Sequence, residues 1–270
     1  MVNSSKPISL TPYSDVNDIL HVLLTNVRGI LQEEFVGMYL YGSLSSGDFN
    51  PETSDIDFLV VTTDVLSDEK IAALESMHKQ IWAGGMKWAP RLEGSYVPKA
   101  LIRRHDPAGP ACPTVNEGEF YLDQRGSDWI IQRHVVRESG VIVEGPDPKT
   151  LIDPISAEAI RSAVHGTLRE WWFPMLEDSS WLKTHGSNYH GYAVITMCRA
   201  LHAVEHGTIV SKPVAIRWAK AELGEQWHHL IEQAVASQYG NHPDFLDETI
   251  EFIRFTRQWI SKKEAQSHEP

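Results

Sequence analysis

Cysteine is scarce in this sequence of 270 residues. The two cysteines, Cys112 and Cys198, are too few and too isolated for a disulfide framework or a zinc site, which points to a reducing compartment. No apolar run reaches the roughly 18 residues of a membrane span. Residues 1–7 lack the basic and then apolar pattern of a secretion signal. These absences predict a cytoplasmic protein with no membrane partner.

Positive charge is also in short supply. Asp and Glu total 36 against 24 Lys and Arg, which gives a formal net charge of -12 at pH 7. Proteins that bind nucleic acid usually carry a basic surface. The charge therefore argues against a nucleic-acid partner and favours a small cationic one. The length and the hydrophobic content of 42% suit an ordinary globular protein with two modest domains or one large one.

The first half of the sequence mixes helical and strand patterns. Apolar residues at helical spacing predict helices over 12–34, 67–82 and 128–138. Short apolar runs predict strands over 36–41, 55–62, 92–97 and 140–146. A helix that connects two strands of one sheet implies a small mixed sheet with helices. The stretch 103–127 is rich in Pro, Gly and charge and is predicted to be a long loop.

The second half carries helical patterns alone. The predicted helices span 156–172, 191–206, 212–223, 225–239 and 243–262. The Pro-bounded stretch 148–154 marks the change of pattern. We therefore predict a mixed α/β domain over 1–150 and an all-α helical bundle over 151–270, and we expect a monomer.

A polar segment joins the first two predicted strands. The first run ends in Gly42 and Ser43, and the second opens with Ser54, Asp55 and Asp57. Side chains i and i+2 of a strand point the same way, so Asp55 and Asp57 are predicted to share one face. Mg²⁺ in proteins is usually held by one or two carboxylates plus substrate phosphates. The pattern predicts strand, turn and strand, with a metal site at the junction.

A phosphate site and a third carboxylate complete this pattern. A Gly-Ser turn lets backbone N–H groups and a hydroxyl approach phosphate oxygens closely, because glycine has no side chain. Glu93, on the next predicted strand, can complete the metal shell or accept the proton of an attacking hydroxyl. Each feature alone is more simply a turn, a solvent-facing carboxylate or an edge residue. Together they favour a metal-bound triphosphate and phosphoryl or nucleotidyl transfer.

These residues resemble the signature of a known superfamily. Leu40-Tyr41-Gly42-Ser43 followed by Ser54-Asp55-Ile56-Asp57 is similar to the motif of the DNA-polymerase-β-like nucleotidyltransferases. Residues 140–172 and 195–218 resemble the streptomycin 3″/spectinomycin 9 adenylyltransferases. The resemblance implies an N-terminal α/β nucleotidyltransferase domain, a C-terminal helical domain that binds ATP and substrate, and a cleft between the two.

The resemblance also implies an activity. Such an enzyme transfers AMP from Mg-ATP to a hydroxyl group of an aminoglycoside-type antibiotic, streptomycin or spectinomycin or both, releases pyrophosphate and confers resistance. Asp55 and Asp57 would bind two Mg²⁺ ions, with Glu93 as a further ligand and as the catalytic base. The residues implied to bind ATP are Gly42, Ser43, Ser54, Arg199, Lys212 and Tyr239. Without the resemblance, Arg199 and Lys212 are better explained as solvated surface cations.

The acceptor is the part of the reaction that the sequence specifies least. The resemblance implies a tryptophan and acidic residues of the helical domain as drug ligands, and Trp171 and Asp178 are the candidates. The segment 172–190 departs from the family pattern in its length and in the placement of its acidic residues. Trp172 is interpreted as packing, whereas Trp171 and Trp181 fit either packing or an aromatic wall for a sugar.

Two alternatives remain open at this point. One is the same adenylyl transfer to a different acceptor, such as another antibiotic, a metabolite or a protein. The other is a nucleotide-binding module without catalytic activity, which the presence of Asp55, Asp57 and Glu93 disfavours.

Overall fold

The computed structural model describes residues 10–240 and 243–267, and the chain divides after Pro154 into two compact units. The first, unit 1, is a mixed sheet with helices, and the second, unit 2, is helical. This confirms the predicted fold class. The division falls four residues after the predicted boundary at 150.

Unit 1 is organised around one six-stranded sheet with the strand order β5-β4-β3-β2-β1-β6. The strands are β1 (Phe35–Leu40), β2 (Ile56–Thr62), β3 (Leu92–Pro98), β4 (Cys112–Asn116), β5 (Glu119–Asp123) and β6 (Val141–Glu144). β2 and β3 run parallel, and the other neighbouring pairs are antiparallel. The central β2 is buried along almost its whole length, which explains its nearly uninterrupted apolar sequence.

The helices of unit 1 cover this sheet and supply the crossover that a parallel pair requires. They are α1 (Ser14–Leu31), α2 (Gly42–Ser46), α3 (Asp68–Ala83), α4 (Lys99–Arg103), α5 (Asp128–Ser139) and α6 (Pro148–Leu151). α1 buries an apolar stripe that includes Val16, Leu20 and Val27, and α3, the crossover between β2 and β3, buries Leu74 and Ile81. These stripes and the apolar residues of the central strands form the core of unit 1.

A buried polar pair lies within this core. Nε2 of His78 on α3 and the hydroxyl of Tyr96 on β3 are 2.7 Å apart. Burial lowers the pKa of His78 to about 4 and raises the pKa of Tyr96 well above its usual range. The core therefore holds the neutral imidazole, because an unpaired charge there would be strongly disfavoured.

The prediction of a long loop over 103–127 is wrong. Much of this stretch forms a hairpin of β4 and β5, joined at Glu117 and Gly118. Both turn residues have positive φ, 48° and 82°, as two-residue hairpin turns commonly do. The sequence signal is weak because Glu-Gly is not a favoured pair for such turns and because Pro113 argues against a strand. Pro113 is the register partner of Leu122 on β5 and lies outside the pairing of β4 with β3, which involves Thr114 and Val115.

Unit 2 consists of helices and short helical turns. Its helices are α7 (Ala157–Thr167), α8 (Ser180–His206), α9 (Lys212–Glu222), α10 (His228–Ala236) and α11 (Leu246–Ser267). The hydroxyl of Ser156 accepts a hydrogen bond from the N–H of Ala159, which caps α7. The predicted helix over 156–172 does not continue as one α-helix, because the chain changes to a π-helical turn over Leu168–Trp172.

The first part of α8 was not predicted, since the helix begins eleven residues before residue 191. In the stretch 180–190 the buried side chains are those of Leu182 and His190, so the apolar helical period is missing. The helix is kinked at Gly186, whose φ is 68°. Cys198 in α8 and Cys112 in β4 are buried free thiols. Within the part of the chain that the structure describes, no helix has the length and apolar character needed to cross a membrane.

Candidate functional site

The centre of the candidate site is a pair of carboxylates on neighbouring strands. Asp57 and Glu93 are register partners in the parallel β2–β3 ladder, each as the second residue of its strand. Register partners on parallel strands point to the same face of a sheet. The two carboxylates therefore lie side by side at the beginning of the two strands, and both side chains are partly exposed.

Gly42 lies directly against this carboxylate pair. The N–H of Tyr41 donates to the backbone oxygen of Asp57 at 3.1 Å, which joins the end of β1 to the start of β2. Gly42 has a φ of +60°, and a Cβ at this position would collide with Oδ2 of Asp57. Glycine is thus required both by the backbone conformation and by the close approach of Asp57. The predicted turn at Gly42 and Ser43 is instead the start of the short helix α2.

The two predicted phosphate-binding serines have different surroundings. Ser43 Oγ is buried and has no hydrogen-bond partner among the described residues. Ser54 Oγ accepts a hydrogen bond from the N–H of Asn50 at 3.0 Å, so it helps to fix the loop before β2. Arg91 holds the same loop by donating to three of its backbone carbonyls. Both hydroxyls keep the ability to donate to an anionic oxygen.

Asp55 differs from its predicted partner Asp57 in its local structure. β2 begins at Ile56, so Asp55 lies outside the strand and is exposed, and the alternation argument does not fix its direction. Among the described residues, no group of three or more His, Cys, Asp or Glu side chains is placed to hold a metal ion. Mg²⁺ does not need such a cage, because one or two carboxylates together with substrate phosphates suffice. Asp57 and Glu93 supply hard oxygen ligands of this kind, and the metal assignment stays a prediction.

A small polar pocket of about 150 Å³ adjoins Glu93. It is formed by β3, the β4–β5 hairpin and the beginning of α5. The lining residues are Tyr41, Glu93, Gly94, Ser95, Thr114, Asn116, Tyr121, Asp123, Arg125, Asp128 and Gln132. Drug-sized ligands usually occupy pockets of roughly 300–1,000 Å³. This pocket is therefore large enough for one part of such a ligand.

Arg125 supplies the positive charge in the pocket wall. Its Nη2 donates to Thr114 Oγ1 at 2.8 Å, its Nη1 is 3.5 Å from Asp123, and the guanidinium lies 5.0 Å from the ring centre of Trp129. The pKa of the nearby Tyr41 hydroxyl is raised well above its usual range by burial and by the negative charges of Asp57 and Glu93, while Arg125 acts in the opposite direction. Tyr41 is thus a neutral hydroxyl beside the carboxylates.

The sequence prediction missed every pocket residue except Glu93. The main reason is the incorrect loop over 103–127, because a loop gives no register for the residues that follow β3. With the hairpin in place, Ser95 and Thr114 become neighbours, with their hydroxyls 3.3 Å apart. The helix start at Asp128 was predicted, but without the hairpin nothing placed it beside Glu93.

The predicted ATP ligands Arg199, Lys212 and Tyr239 lie in unit 2. Arg199 is half-buried in α8, and Lys212 is the exposed first residue of α9, with Nζ 6.0 Å from the ring centre of Tyr192. Tyr239 is exposed in a short helical turn that follows α10. Their assignment to ATP stays a prediction.

Trp171 belongs to an exposed aromatic cluster that also contains Trp181, His185 and Tyr189. Trp171 Nε1 donates to the Tyr189 hydroxyl at 3.2 Å, and its ring lies 5.6 Å from that of Trp181. The ring of Trp181 stacks on His185 with a centroid distance of 4.0 Å. Trp172 is 3% exposed, which confirms that it packs in the interior.

Asp178, the other predicted drug ligand, has a local structural role. Its carboxylate accepts a hydrogen bond from the N–H of Ser180 at 3.0 Å, at the start of α8. Hydrogen bonds from the hydroxyl and then the N–H of Ser180 lower the pKa of Asp178. The side chain is also exposed. The proposed contact of Asp178 with a drug stays a prediction.

Comparisons with known proteins agree with this arrangement. Residues 24–86 match the model of the nucleotidyltransferase domain, and residues 150–262 match the model of the aminoglycoside adenylyltransferase C-terminal domain. A spectinomycin 9-adenylyltransferase of Campylobacter jejuni is 27% identical over 85% of this chain and 86% of its own length. One of Enterococcus faecalis is 22% identical over 90% of this chain and 93% of its own length.

The fold is also found in a solved structure. The spectinomycin adenyltransferase of Enterococcus faecalis, crystallised with ATP and spectinomycin, superposes with a TM-score of 0.69 at 17% identity and covers 89% of this chain and 98% of its own. The two matching domain models follow each other in the order of units 1 and 2. The chain is therefore an adenylyltransferase, and its second unit is similar to the C-terminal domain of aminoglycoside adenylyltransferases.

Proposed function

We propose that this enzyme transfers AMP from Mg-ATP to a hydroxyl group of spectinomycin and releases pyrophosphate. The observation that carries the proposal is the register pairing of Asp57 with Glu93, with Gly42 against one carboxylate and a polar pocket beside the other. The two named relatives are spectinomycin 9-adenylyltransferases, and both align over most of this chain. Their names favour spectinomycin over streptomycin as the acceptor.

Glu93 is assigned as the catalytic base. It lines the pocket, so an acceptor hydroxyl bound there lies next to its carboxylate. Glu93 takes the hydroxyl proton while the hydroxyl oxygen forms a bond to the α-phosphorus of ATP. The bond from the α-phosphorus to the bridging oxygen breaks, and pyrophosphate leaves with the electron pair. General base catalysis of this kind contributes about 10²- to 10⁴-fold to a rate.

Asp55, Asp57 and Glu93 are assigned as the ligands of two Mg²⁺ ions. When bound, the ions neutralise charge on the triphosphate and steady the attacking and leaving oxygens. The protein holds these ligands in position, and the strand register does this for Asp57 and Glu93. Glu93 has two carboxylate oxygens, so it can serve as a ligand and as the base.

The phosphates of ATP are assigned to the segment that begins at Gly42. Gly42 has no side chain, so a phosphate group can approach the backbone closely there. The buried Ser43 hydroxyl has no hydrogen-bond partner among the described residues, and a phosphate oxygen can provide one. Ser54 can donate its hydroxyl proton while it accepts from Asn50. Arg199 and Lys212 supply cations for the triphosphate, and Tyr239 contacts the nucleotide. A strongly acidic protein needs such local cations to bind a polyanion.

The direct test is the variant Glu93→Gln, which keeps the size of the side chain and removes the base. We expect pyrophosphate release with ATP and spectinomycin to fall by at least about 100-fold, because general base catalysis is lost. ATP affinity, measured by calorimetry with Mg²⁺, should change much less. The matched control is Glu119→Gln on β5, an exposed glutamate that is not among the pocket-lining residues.

If Glu93→Gln retained the turnover of the wild type, Glu93 would not be the catalytic base. Wild-type enzyme that binds Mg-ATP but releases pyrophosphate only with another acceptor would point to the same chemistry on a different substrate, and a panel of aminoglycosides, other antibiotics and metabolites identifies it. Wild-type protein that binds Mg-ATP but releases pyrophosphate with none of these acceptors would favour a nucleotide-binding module without catalytic activity.

A further inference from the structure

The loop between α2 and β2 carries Asp55, one of the proposed metal ligands. Asp55 is exposed, and β2 begins at the next residue, Ile56. Strand pairing therefore fixes Asp57 but not Asp55, whose position depends on the conformation of the loop before it. Loops are generally more mobile than the strands they connect. Two carboxylates can share a metal site only when both are held in place, so this loop requires support of its own.

Arg91 supplies such support from the position just before β3. Its Nη1 donates to the backbone oxygens of Pro51 at 3.0 Å and Ser54 at 3.4 Å, and its Nη2 donates to that of Glu52 at 2.8 Å. A guanidinium is a planar fork with five donors, so one side chain can hold three carbonyls in a fixed arrangement. The loop is thereby fastened to the strand that carries Glu93.

The strand register shows where on the loop this support acts. The parallel ladder begins at the pair of Ile56 and Leu92, so Asp55 and Arg91 are the residues directly before it on the two strands. The carbonyl of Ser54, which accepts from Arg91, belongs to the peptide bond that leads into Asp55. Arg91 therefore holds the backbone immediately before this carboxylate.

Arg91 is itself held against an aromatic ring. Its guanidinium carbon lies 5.5 Å from the ring centre of Trp88, within the range of a cation–π contact. Trp88 is buried in the core of unit 1, and the ring of Phe49, near the start of the loop, lies 5.4 Å from the ring of Trp88. The arginine and the loop therefore share one anchor in the core.

We propose that Arg91 is a positioning residue that sets the Mg²⁺ site by fixing the loop that ends in Asp55. The proposal rests on the proposed function, which assigns Asp55 and Asp57 to the metal ions. In this role Arg91 acts through the loop backbone and is not itself a ligand. Groups that hold metal ligands in place typically contribute about 10- to 100-fold to metal affinity or activity.

A simpler explanation is that Arg91 only stabilises the fold. Its loss would then lower the thermal stability of the protein and reduce turnover by the same factor at every Mg²⁺ concentration. Loss of a positioning residue instead raises the Mg²⁺ concentration that the enzyme needs, and excess Mg²⁺ restores turnover. The two roles therefore differ in the Mg²⁺ dependence of the rate.

The experiment measures pyrophosphate release from ATP and spectinomycin over a range of free Mg²⁺ concentrations. For Arg91→Ala we expect the Mg²⁺ concentration at half-maximal rate to rise about 10- to 100-fold, with the maximal rate within about threefold of wild type. Arg91→Lys keeps the charge without the fork and should behave like Arg91→Ala. The KM for spectinomycin at saturating Mg²⁺ should stay within about twofold.

A second measurement needs neither metal nor turnover. Hydrogen exchange followed by mass spectrometry reports how readily backbone N–H groups open locally. In the loop, the N–H groups of Thr53 and Ser54 donate to the carbonyl of Asn50. In both metal-free Arg91 variants they should exchange about tenfold faster or more, because the hydrogen bonds that hold the loop are lost. Peptides of unit 2 should exchange at wild-type rates.

Arg161→Ala and Arg161→Lys are the matched controls. Arg161 is also a partly exposed arginine that donates to backbone carbonyls, those of Val204 and Glu205 in unit 2. Both variants should leave the Mg²⁺ dependence and the exchange of residues 50–55 unchanged. Thermal unfolding shows that every variant is folded.

Three results would overturn the proposal. The first is a lower rate in the Arg91 variants with an unchanged half-maximal Mg²⁺ concentration. The second is wild-type Mg²⁺ dependence in Arg91→Lys, which would show that the charge alone suffices, and the third is unchanged exchange of residues 50–55. Wild-type enzyme that releases no pyrophosphate with spectinomycin at any Mg²⁺ concentration would instead overturn the proposed function, while hydrogen exchange would still test whether Arg91 fixes the loop.

Discussion

Unit 1 and unit 2 each carry candidate ligand-binding residues, but they hold them in different ways. In unit 1, Asp57 and Glu93 are fixed by the register of a parallel strand pair inside a six-stranded sheet. In unit 2, Trp181 and His185 lie on the exposed first part of α8, before the kink at Gly186. Strand register fixes Asp57 and Glu93 against each other, whereas Trp181 and His185 lie one turn apart on a single exposed helix segment. This difference favours a reaction centre in unit 1, where the groups are held rigidly, and contacts with a ligand in unit 2 that can adapt to its shape.

We expect the largest effect from the variant Gly42→Ala, which tests how strictly unit 1 fixes the position of the Asp57 carboxylate. In Gly42→Ala the added methyl group would collide with the Asp57 carboxylate, and φ of +60° is unfavourable for alanine. We expect adenylyl transfer, measured as pyrophosphate release, to fall by about 100-fold or more, because displacements of about 1 Å near a reacting centre have effects of that size.

Gly47→Ala is the control for this prediction. Gly47 also has positive φ, 77°, but nothing lies within 4 Å of a Cβ at this position. This variant carries the backbone strain without the collision, and it should keep most of the activity. Equal losses in the two variants would show that strain in the segment around α2, and not the approach to Asp57, is what matters.

An intermediate effect concerns the stability of unit 1 at low pH. Because burial lowers the pKa of His78 to about 4, the unfolded chain binds a proton at this residue more readily than the folded chain. The contribution of His78 to the free energy of unfolding is complete above the pKa of about 6.5 that it has in the unfolded chain. This contribution is lost as the pH falls from there toward 4. Between pH 7 and pH 5 the free energy of unfolding should fall by about 2 kcal/mol through this residue.

Urea unfolding at the two pH values measures this loss. The variant His78→Gln keeps a partner for the Tyr96 hydroxyl and removes the titration. Its loss of stability between pH 7 and pH 5 should be smaller than that of wild type by about the same 2 kcal/mol. The same pH dependence in both proteins would assign the effect to other groups.

The smallest expected effect tests whether the aromatic cluster of unit 2 contributes to acceptor binding. In Trp181→Ala the stacking on His185 and the edge contact with Trp171 are lost. We expect the KM for spectinomycin to rise about 3- to 10-fold, as for the loss of one aromatic contact, with the KM for ATP unchanged.

Trp82→Ala in unit 1 is the matched control, because Trp82 is exposed to a similar extent, 45% against 43% for Trp181. It should leave the KM for spectinomycin unchanged. An unchanged KM in Trp181→Ala would assign the cluster to packing and would place acceptor recognition in the pocket of unit 1.

The accuracy of the sequence-based predictions differed between these regions for a physical reason. The strand that carries Asp57 is a nearly uninterrupted apolar run, and the helices α1 and α3 have apolar residues at helical spacing, so all three were predicted within a few residues. The β4–β5 hairpin has an unusual Glu-Gly turn and a proline in a strand, so its local signals pointed away from its structure. The first part of α8 buries few side chains and carries little periodicity.

The sequence by itself determined the class of chemistry, because Gly42, Ser43, Asp57 and Glu93 stand at strand boundaries that local patterns define. The tertiary structure decided which residues face one another. Strand register comes from pairing between distant segments, which no local pattern encodes. Only that pairing sets Asp57 beside Glu93 and brings the hairpin, with Arg125 and Asp128 after it, to the edge of the same pocket.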